Sequence, residues 1–209
     1  VSGVQTQLAP LTFLPELRLH QAPATAGLWD GGYSSDRRPP FWAFAWPGGQ
    51  ALARYILDHP ETVQGRTALD VACGSGVVAL AAAHSHSSRV RAVDLDEDAI
   101  EAVAANAAAN GVQVEGVVGD LADLTVSADV VLVGDGFYTQ SIADRMTRLL
   151  LRGTADVYVG DPDREFLPKR LFTQVATYDV PVRPNLEGVS VKRTHVWRLN
   201  RRDRAVPGR

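Results

Sequence analysis

The fold is decided by Thr67-Ala68-Leu69-Asp70-Val71-Ala72, followed by Cys73-Gly74-Ser75-Gly76 and the run Val77-Val78-Ala79-Leu80-Ala81-Ala82-Ala83-His84. A short apolar strand carries an acid, turns on closely spaced glycines and passes directly into an Ala/Val-rich helix. Glycines suit this turn because a ligand can approach a backbone that has no Cβ. The helix, read over residues 75–84, is apolar nearly all round and is expected to be buried. Downstream the pattern alternates: a strand at 90–93, a helix at 97–110 capped by Asn110-Gly111, and strands at 112–118 and 129–133. A helix at 139–151 closed by Gly153 and a strand at 155–159 follow. Such alternation gives an α/β fold with a doubly wound parallel sheet between helices. Two β-rich runs, 171–180 and 189–200, flank Pro181, Pro184, Asn185 and Gly188 and predict an antiparallel hairpin at the sheet edge.

Upstream, residues 48–59 read as a helix with Ala51, Leu52, Tyr55 and Ile56 on one face and Pro60 at its end. Residues 1–46 show no clear period. Glu16 to His20 alternate like a short strand, and Gly27 to Pro40 read as a loop. The expected organisation is an N-terminal extension (1–46), one domain (47–200) and a basic tail (201–209).

Composition excludes several classes. The 209 residues are 45% hydrophobic and 22% charged, near the soluble average of about 45–50% and 25%. Disordered, collagen-like and coiled-coil chains do not look like this. The single cysteine, Cys73, excludes an intramolecular disulfide and a Cys₄ zinc site. His84-Ser85-His86 lacks a third ligand nearby and reads as an exposed helix end, and His195 as a packed or edge residue, so no metal site is expected. No run approaches the roughly 20 apolar residues of a membrane span, and no leader pattern is seen. The expectation is a cytoplasmic protein with no membrane partner. The net charge of −3 divides into −8 over residues 1–150 and +5 over 151–209. No basic stripe with interleaved aromatics accompanies it, so no nucleic-acid partner is expected.

Four features fall at successive strand ends, on the edge where open α/β sheets bind ligands. Asp70 precedes the glycines Gly74 and Gly76, whose helix offers free N–H groups. Asp94 ends the second strand, where a carboxylate can accept both ribose hydroxyls of an adenosine. Asp120 follows the third and suits an exocyclic adenine amine, with Leu95 and Leu121 flanking the ring. Gly74-Ser75-Gly76-Val77-Val78-Ala79 also fits the loose dinucleotide pattern G-x-G-x-x-G/A. Asp70, taken to point toward the pocket mouth, would repel a pyrophosphate, whereas S-adenosylmethionine carries a cationic ammonium and sulfonium and no phosphate.

The segments ALDVACGSG (68–76), AVDLDEDAI (92–100) and VGDL (118–121) resemble the motifs of seven-strand, class I S-adenosylmethionine methyltransferases. PPFWAFAWPGGQALARYILDHP (39–60), VVLVGDGFY (130–138), GDPDREFLP (160–168) and VKRTHVWRL (191–199) are similar to bacterial relatives of the electron transfer flavoprotein β-subunit lysine methyltransferases, of the family-16 group. The resemblance spans about 39–200 and implies a Rossmann-like sheet of seven strands. It implies that Asp94 holds the ribose and Asp120 the adenine, that Asp70, Gly74 and Gly76 line the methionine end, and that Ala72 is a cofactor-binding position beside them. It further implies that Trp46 closes over the cofactor, and that Asp135 and Tyr138 form the D-x-x-Y/F motif beside the methyl acceptor. Three positions depart from the pattern. Ala72 replaces the first motif glycine. Gly136 stands where relatives carry Leu or Met, which suggests a roomier acceptor mouth. Thr139 stands where many have an acid.

The implied reaction moves a methyl group from S-adenosylmethionine to a lysine nitrogen of a protein substrate, leaving S-adenosylhomocysteine. The implied targets are the β-subunit of electron transfer flavoprotein or a ribosomal stalk protein. A lysine of pKa about 10.4 is neutral in only roughly one molecule in 2,500 at pH 7, a cost of about 4.6 kcal/mol. Asp135 is expected to capture and aim the amine, with Phe137 and Tyr138 burying it. Alternatives compatible with the sequence are a methyltransferase for a small amine, a non-catalytic S-adenosylmethionine-binding module and a NAD-binding oxidoreductase.

Overall fold

A computed structural model describes residues 4–23 and 39–201. Most of the loop expected over 27–40, up to residue 38, and the tail from 202 onward lie outside the described residues. The described chain runs β1 (Gln7–Pro10), β2 (Arg18–Gln21), α1 (Pro47–Asp58), β3 (Thr67–Val71), α2 (Val77–His84), β4 (Arg89–Asp94), α3 (Glu97–Asn110) and β5 (Glu115–Val118). It continues through β6 (Val130–Gly134), α4 (Gln140–Arg152), β7 (Asp156–Asp161), β8 (Phe172–Pro181), the short α5 (Pro184–Glu187) and β9 (Val191–Leu199). The main sheet has seven strands in the order β5-β4-β3-β6-β7-β9-β8. β5, β4, β3, β6 and β7 are parallel; β9 is antiparallel to both β7 and β8, so β8 runs in the direction of the other five. The expected α/β architecture with its C-terminal hairpin is therefore present. β9 inserts between β7 and β8, so of the two hairpin strands it is β8 that lies at the sheet edge.

Strand periodicity assigns the two faces. Ala68 in β3 and Val130 and Leu132 in β6 join α1 and α2 in one core cluster. Leu69, Val71, Val131 and Val133 join α4 residues Ala143, Met146, Leu149 and Leu150 in another. Side chains alternate across a strand, so Asp70 shares the face of Ala68 and points under α2. It is 1% exposed, and its Oδ2 accepts the Ala79 amide at 3.0 Å. The α2 N-cap is Gly76, at φ +76°, which has no side chain to offer. Asp70 thus supplies the capping acceptor from a neighbouring strand. Asp70 does not point toward a pocket mouth, as the sequence suggests. Burial, and then the nearby Asp94, push its carboxyl up to about 8 despite the Ala79 hydrogen bond. The acid that was expected to repel a phosphate is largely protonated at neutral pH.

The N-terminal extension is built into the core. β1 and β2 pair as a separate antiparallel hairpin, and Leu11, Leu14, Leu17 and Leu19 are buried with α1 and α2. Two α3 asparagines serve as the hairpin's next pairing partner. Asn110 Oδ1 accepts the Arg18 amide at 2.9 Å, and Asn106 Oδ1 accepts the His20 amide at 2.7 Å. Asn106 Nδ2 also donates to the Ser75 carbonyl at 2.9 Å, which ties the hairpin to the glycine turn. At the other end, Arg201 is not a solvated tail residue. Its guanidinium donates to the carbonyls of Leu150, Gly153 and Ala155 around the end of α4, a favourable place for a cation. The sequence Asp161-Pro162 reads as a helix start, but after β7 the chain is irregular until a 3₁₀ turn at Lys169–Leu171. Among the described residues no helix is long and apolar enough to cross a membrane.

Four glycines let α1 settle on the ends of β6 and β7. A methyl at Gly160 would overlap the Gly48 carbonyl, and one at Gly134 would lie 2.7 Å from the Gly49 Cα. We expect Gly160→Ala to lose about 3 kcal/mol or more in urea unfolding, because backbone cannot yield to a Cβ. Gly65→Ala, at φ +70° in open space, should lose only about 1 kcal/mol. The Asp70 carboxyl titrates higher in the folded protein than in the unfolded chain, so its own contribution to stability is fully present below about pH 4 and is lost as pH rises to about 8. Asp70→Asn keeps the acceptor for Ala79 and should flatten the decline of melting temperature between pH 5 and 8.

Candidate functional site

The sheet order reverses at β3 and β6, and there the strand ends open a pocket of about 330 Å³. This is where doubly wound sheets bind ligands. One wall is Ala72 and Gly74 after β3, Val93 and Asp94 at the end of β4, Leu95, and Gly119 and Leu121 after β5. The other wall is Gly134 and Asp135 after β6, Tyr138, Ile142 and Arg145 beside and on α4, and Arg164 after β7. Phe41 and Trp46 complete the rim. Among the residues expected from sequence, Trp46, Ala72, Gly74, Asp94, Leu95, Leu121, Asp135 and Tyr138 are brought together here. Asp70, Gly76 and Asp120 do not line the pocket.

Asp94 stands at the centre of the first wall. Its Oδ2 accepts the Gly74 amide at 2.9 Å and its Oδ1 the Asp96 amide at 3.1 Å. The carboxylate is thereby fixed, yet its oxygens retain lone pairs. Val93, Leu95 and Leu121 supply apolar surface beside it. Ala72 adopts φ +55°, a left-handed conformation that costs a non-glycine residue about 1 kcal/mol. This is the physical consequence of alanine in a glycine position. Gly76, behind the wall, could not bear a side chain: a Cβ would lie 2.8 Å from Val103 Cγ2. The Cys73 thiol, pushed well up by burial, stays protonated.

Asp120 is turned to other partners. It forms an ion pair with Arg145 of α4, and its Oδ1 accepts the Ala122 amide at 2.7 Å. Any contact it makes with a ligand would be shared with that guanidinium, which the sequence did not foretell.

On the second wall, Asp135 sits at φ +55° with its side chain 10% exposed. Oδ2 accepts the Gly48 amide, and the Gly49 amide at 3.3 Å. These belong to the first turn of α1, whose N-cap is Trp46 and has no capping side chain of its own. Oδ1 accepts from Arg164 Nη2 at 3.0 Å and Nε at 3.3 Å. Burial raises the Asp135 carboxyl above its ordinary value, against the pull of Arg164 and the Gly48 amide. Asp135 therefore holds structure together before any ligand reaches it. Thr139, not Asp135, caps α4, accepting the Ile142 amide at 3.3 Å.

Two expectations at this wall fail. Phe137 is fully buried and packs edge-on against Phe172, so it cannot cover an amine in the pocket. Gly136 does not widen the mouth. It is buried, and a Cβ there would overlap Val133 and meet Met146 at 3.1 Å. Tyr138, at 49% exposure, is at the mouth, with ring centroids 6.3 Å from Phe41. Trp46 Nε1 donates to the Phe41 carbonyl at 2.8 Å and its ring lies 6.0 Å from that of Phe41.

Sequence reasoning missed Arg145, Arg164, Phe41 and Ile142. Arg164 lay within the quoted segment GDPDREFLP, but nothing in its local spacing pairs it with Asp135, 29 residues away. The two arginines also change the electrostatics. The acidic half of the chain does not produce a simply negative mouth, because Asp120 and Asp135 each face a guanidinium.

Comparison with known proteins agrees with this arrangement. The family described as "Methyltransferase domain" matches residues 68–153. The electron transfer flavoprotein beta subunit lysine methyltransferase of Danio rerio is 34% identical over 197 residues, covering 89% of this chain and 76% of the relative. The Mus musculus protein of the same name is 34% identical over 169 residues, covering 76% of this chain and 66% of the relative. Among solved structures, the ribosomal protein L11 methylase of Lactobacillus delbrueckii subsp. bulgaricus shares the fold with a TM-score of 0.59 at 18% identity, covering 92% of this chain and 98% of that one. With a methyltransferase-type sheet, a strand-end pocket at its switch point and this degree of identity over most of its length, the chain belongs to the family of electron transfer flavoprotein beta subunit lysine methyltransferases.

Proposed function

We propose that the protein transfers methyl groups from S-adenosylmethionine to lysine side chains of a protein, with the β-subunit of electron transfer flavoprotein as substrate. The observation that carries this reading is the continuity of the pocket. A wall suited to an adenosine (Asp94, Val93, Leu95, Leu121) runs without a break into a wall carrying Asp135 and Tyr138.

The residues present fit the donor. Asp94 offers acceptors for ribose hydroxyls. Gly74 and Gly119 leave backbone open to a ligand. When bound, S-adenosylmethionine supplies a methyl group on a positively charged sulfur. The protein's own task is to present a neutral lysine nitrogen in line with that methyl group and to keep water out. Phe41, Trp46 and Tyr138 form an aromatic rim suited to the second task. Proximity and alignment supply most of the acceleration in such a site. The small-amine alternative rested on the opening at Gly136, which the packing of Val133 and Met146 removes.

Purified protein, methyl-labelled S-adenosylmethionine and a panel of proteins that includes the electron transfer flavoprotein β-subunit test this directly. The expected result is label on lysine of that subunit, located by mass spectrometry. Label confined to small molecules would overturn the reading. Asp94→Ala removes hydrogen bonds to a charged acceptor, each worth about 1.5–3 kcal/mol. It should weaken donor binding by about 10- to 100-fold in calorimetry.

A further inference from the structure

Arg164 is built into the structure from three directions. Its amide donates to Asp161 Oδ1 at 2.7 Å, which anchors its backbone to the end of β7. Its Nη2 donates to Asp135 Oδ1 at 3.0 Å and to Glu187 Oε1 at 2.9 Å. Glu187 ends α5, between β8 and β9; its side chain is 6% exposed and does not line the pocket. One guanidinium thus joins the pocket wall to the connection between the last two strands.

We propose that Arg164 is a positioning residue for Asp135, that Glu187 sets its hold from outside the pocket, and that a charge-balanced pair, not a free carboxylate, faces the methyl-acceptor amine. The last clause rests on the function proposed above. Oδ2 of Asp135 is taken by α1 amides and Oδ1 by Arg164, so the carboxylate is oriented and its charge balanced before substrate arrives. It is then a poor counter-ion for an ammonium. A balanced carboxylate does little to stabilise an ammonium beside it. This favours the neutral amine that methyl transfer needs, which reverses the expectation that Asp135 captures a charged lysine.

The charged groups around this pair are few. Asp161, 0% exposed, lies beneath Arg164, and burial pushes its carboxyl up to about 7. Lys192 of β9 approaches Glu187 at 3.6 Å. Asp163 pairs with Lys169 at 2.7 Å and faces His195 of β9 at 3.9 Å. Asp94 and Arg145 lie elsewhere on the pocket lining.

The test is a carboxyl ¹³C NMR titration of aspartate-labelled protein, with the Asp135 signal assigned by its loss in Asp135→Asn. Removing the guanidinium in Arg164→Gln should raise the Asp135 midpoint by about one pH unit or more. Glu187→Gln should lower it, because a nearby negative charge is lost and Arg164 is left with Asp135 alone. Arg164→Lys, which keeps the charge, should lie between wild type and Arg164→Gln. A merely structural role predicts otherwise: loosening admits water and lowers the midpoint in both variants, and that result, or no change, overturns the proposal. Donor affinity from calorimetry should stay within about threefold in Arg164→Gln. A loss of about tenfold, 1.4 kcal/mol, would make Arg164 a donor ligand instead and overturn the assignment. With the protein substrate, the acid limb of kcat/KM should move to higher pH in Arg164→Gln and to lower pH in Glu187→Gln. If wild type methylates no protein lysine, the function proposed above fails, while the NMR titration still decides the link between Arg164, Glu187 and Asp135.

Discussion

The contact on which the rest depends is the seat of α1 on Asp135. Gly48 and Gly49 present amides with no side chains in the way, and the carboxylate at the end of β6 receives them. The approach is possible only because the facing strand ends carry Gly134 and Gly160. Once α1 is seated, Trp46 stands at its N-cap and, with Phe41, on the pocket rim. The same contact turns the other carboxylate oxygen of Asp135 toward Arg164. One helix start therefore fixes a wall, a rim and a charge.

Asp70 repeats the device on the neighbouring helix. α1 and α2 both begin at residues that offer no capping side chain, and both take their acceptor from the C-terminal end of a main-sheet strand, Asp135 just past β6 and Asp70 within β3. The helix dipole favours a negative group there, while burial opposes its ionisation. For Asp70 burial prevails, and the acid sits near neutral pH in its titration. For Asp135 burial also raises the carboxyl, and Arg164 pulls against it. A charge tally of −8 for residues 1–150 thus says little about the pocket, where acids meet arginines from distant segments.

Much of the fold was legible because it is written in short-range pattern. The helix over Glu97–Asn110, with Gly111 left-handed after it, lies where periodicity and the Asn-Gly cap put it. Asp94 was legible too, since a strand end after a glycine turn has few alternatives. Arg201 was not, because counting tail charges cannot reveal that a guanidinium folds back on the end of α4. Phe137 and Tyr138 are neighbours in sequence and opposites in space, one in the core and one at the mouth. The left-handed turn at Asp135 precedes them, and nothing in the local residue types announces it.

By itself, the sequence determined the α/β class, the strand-end edge that carries the pocket, and the resemblance of its motifs to a methyltransferase family. These follow from period, turn chemistry and motif spacing, which are local. Only the tertiary structure decided which carboxylates face the pocket, which are buried as helix caps, and which arginines balance them. That choice depends on strand register, on backbone approaches a few ångströms wide and on pairs such as Arg164 and Glu187 that meet only when the last two strands close the sheet. Desolvation and Coulomb forces act through space, and the order of residues along a chain does not specify those distances until the chain has folded.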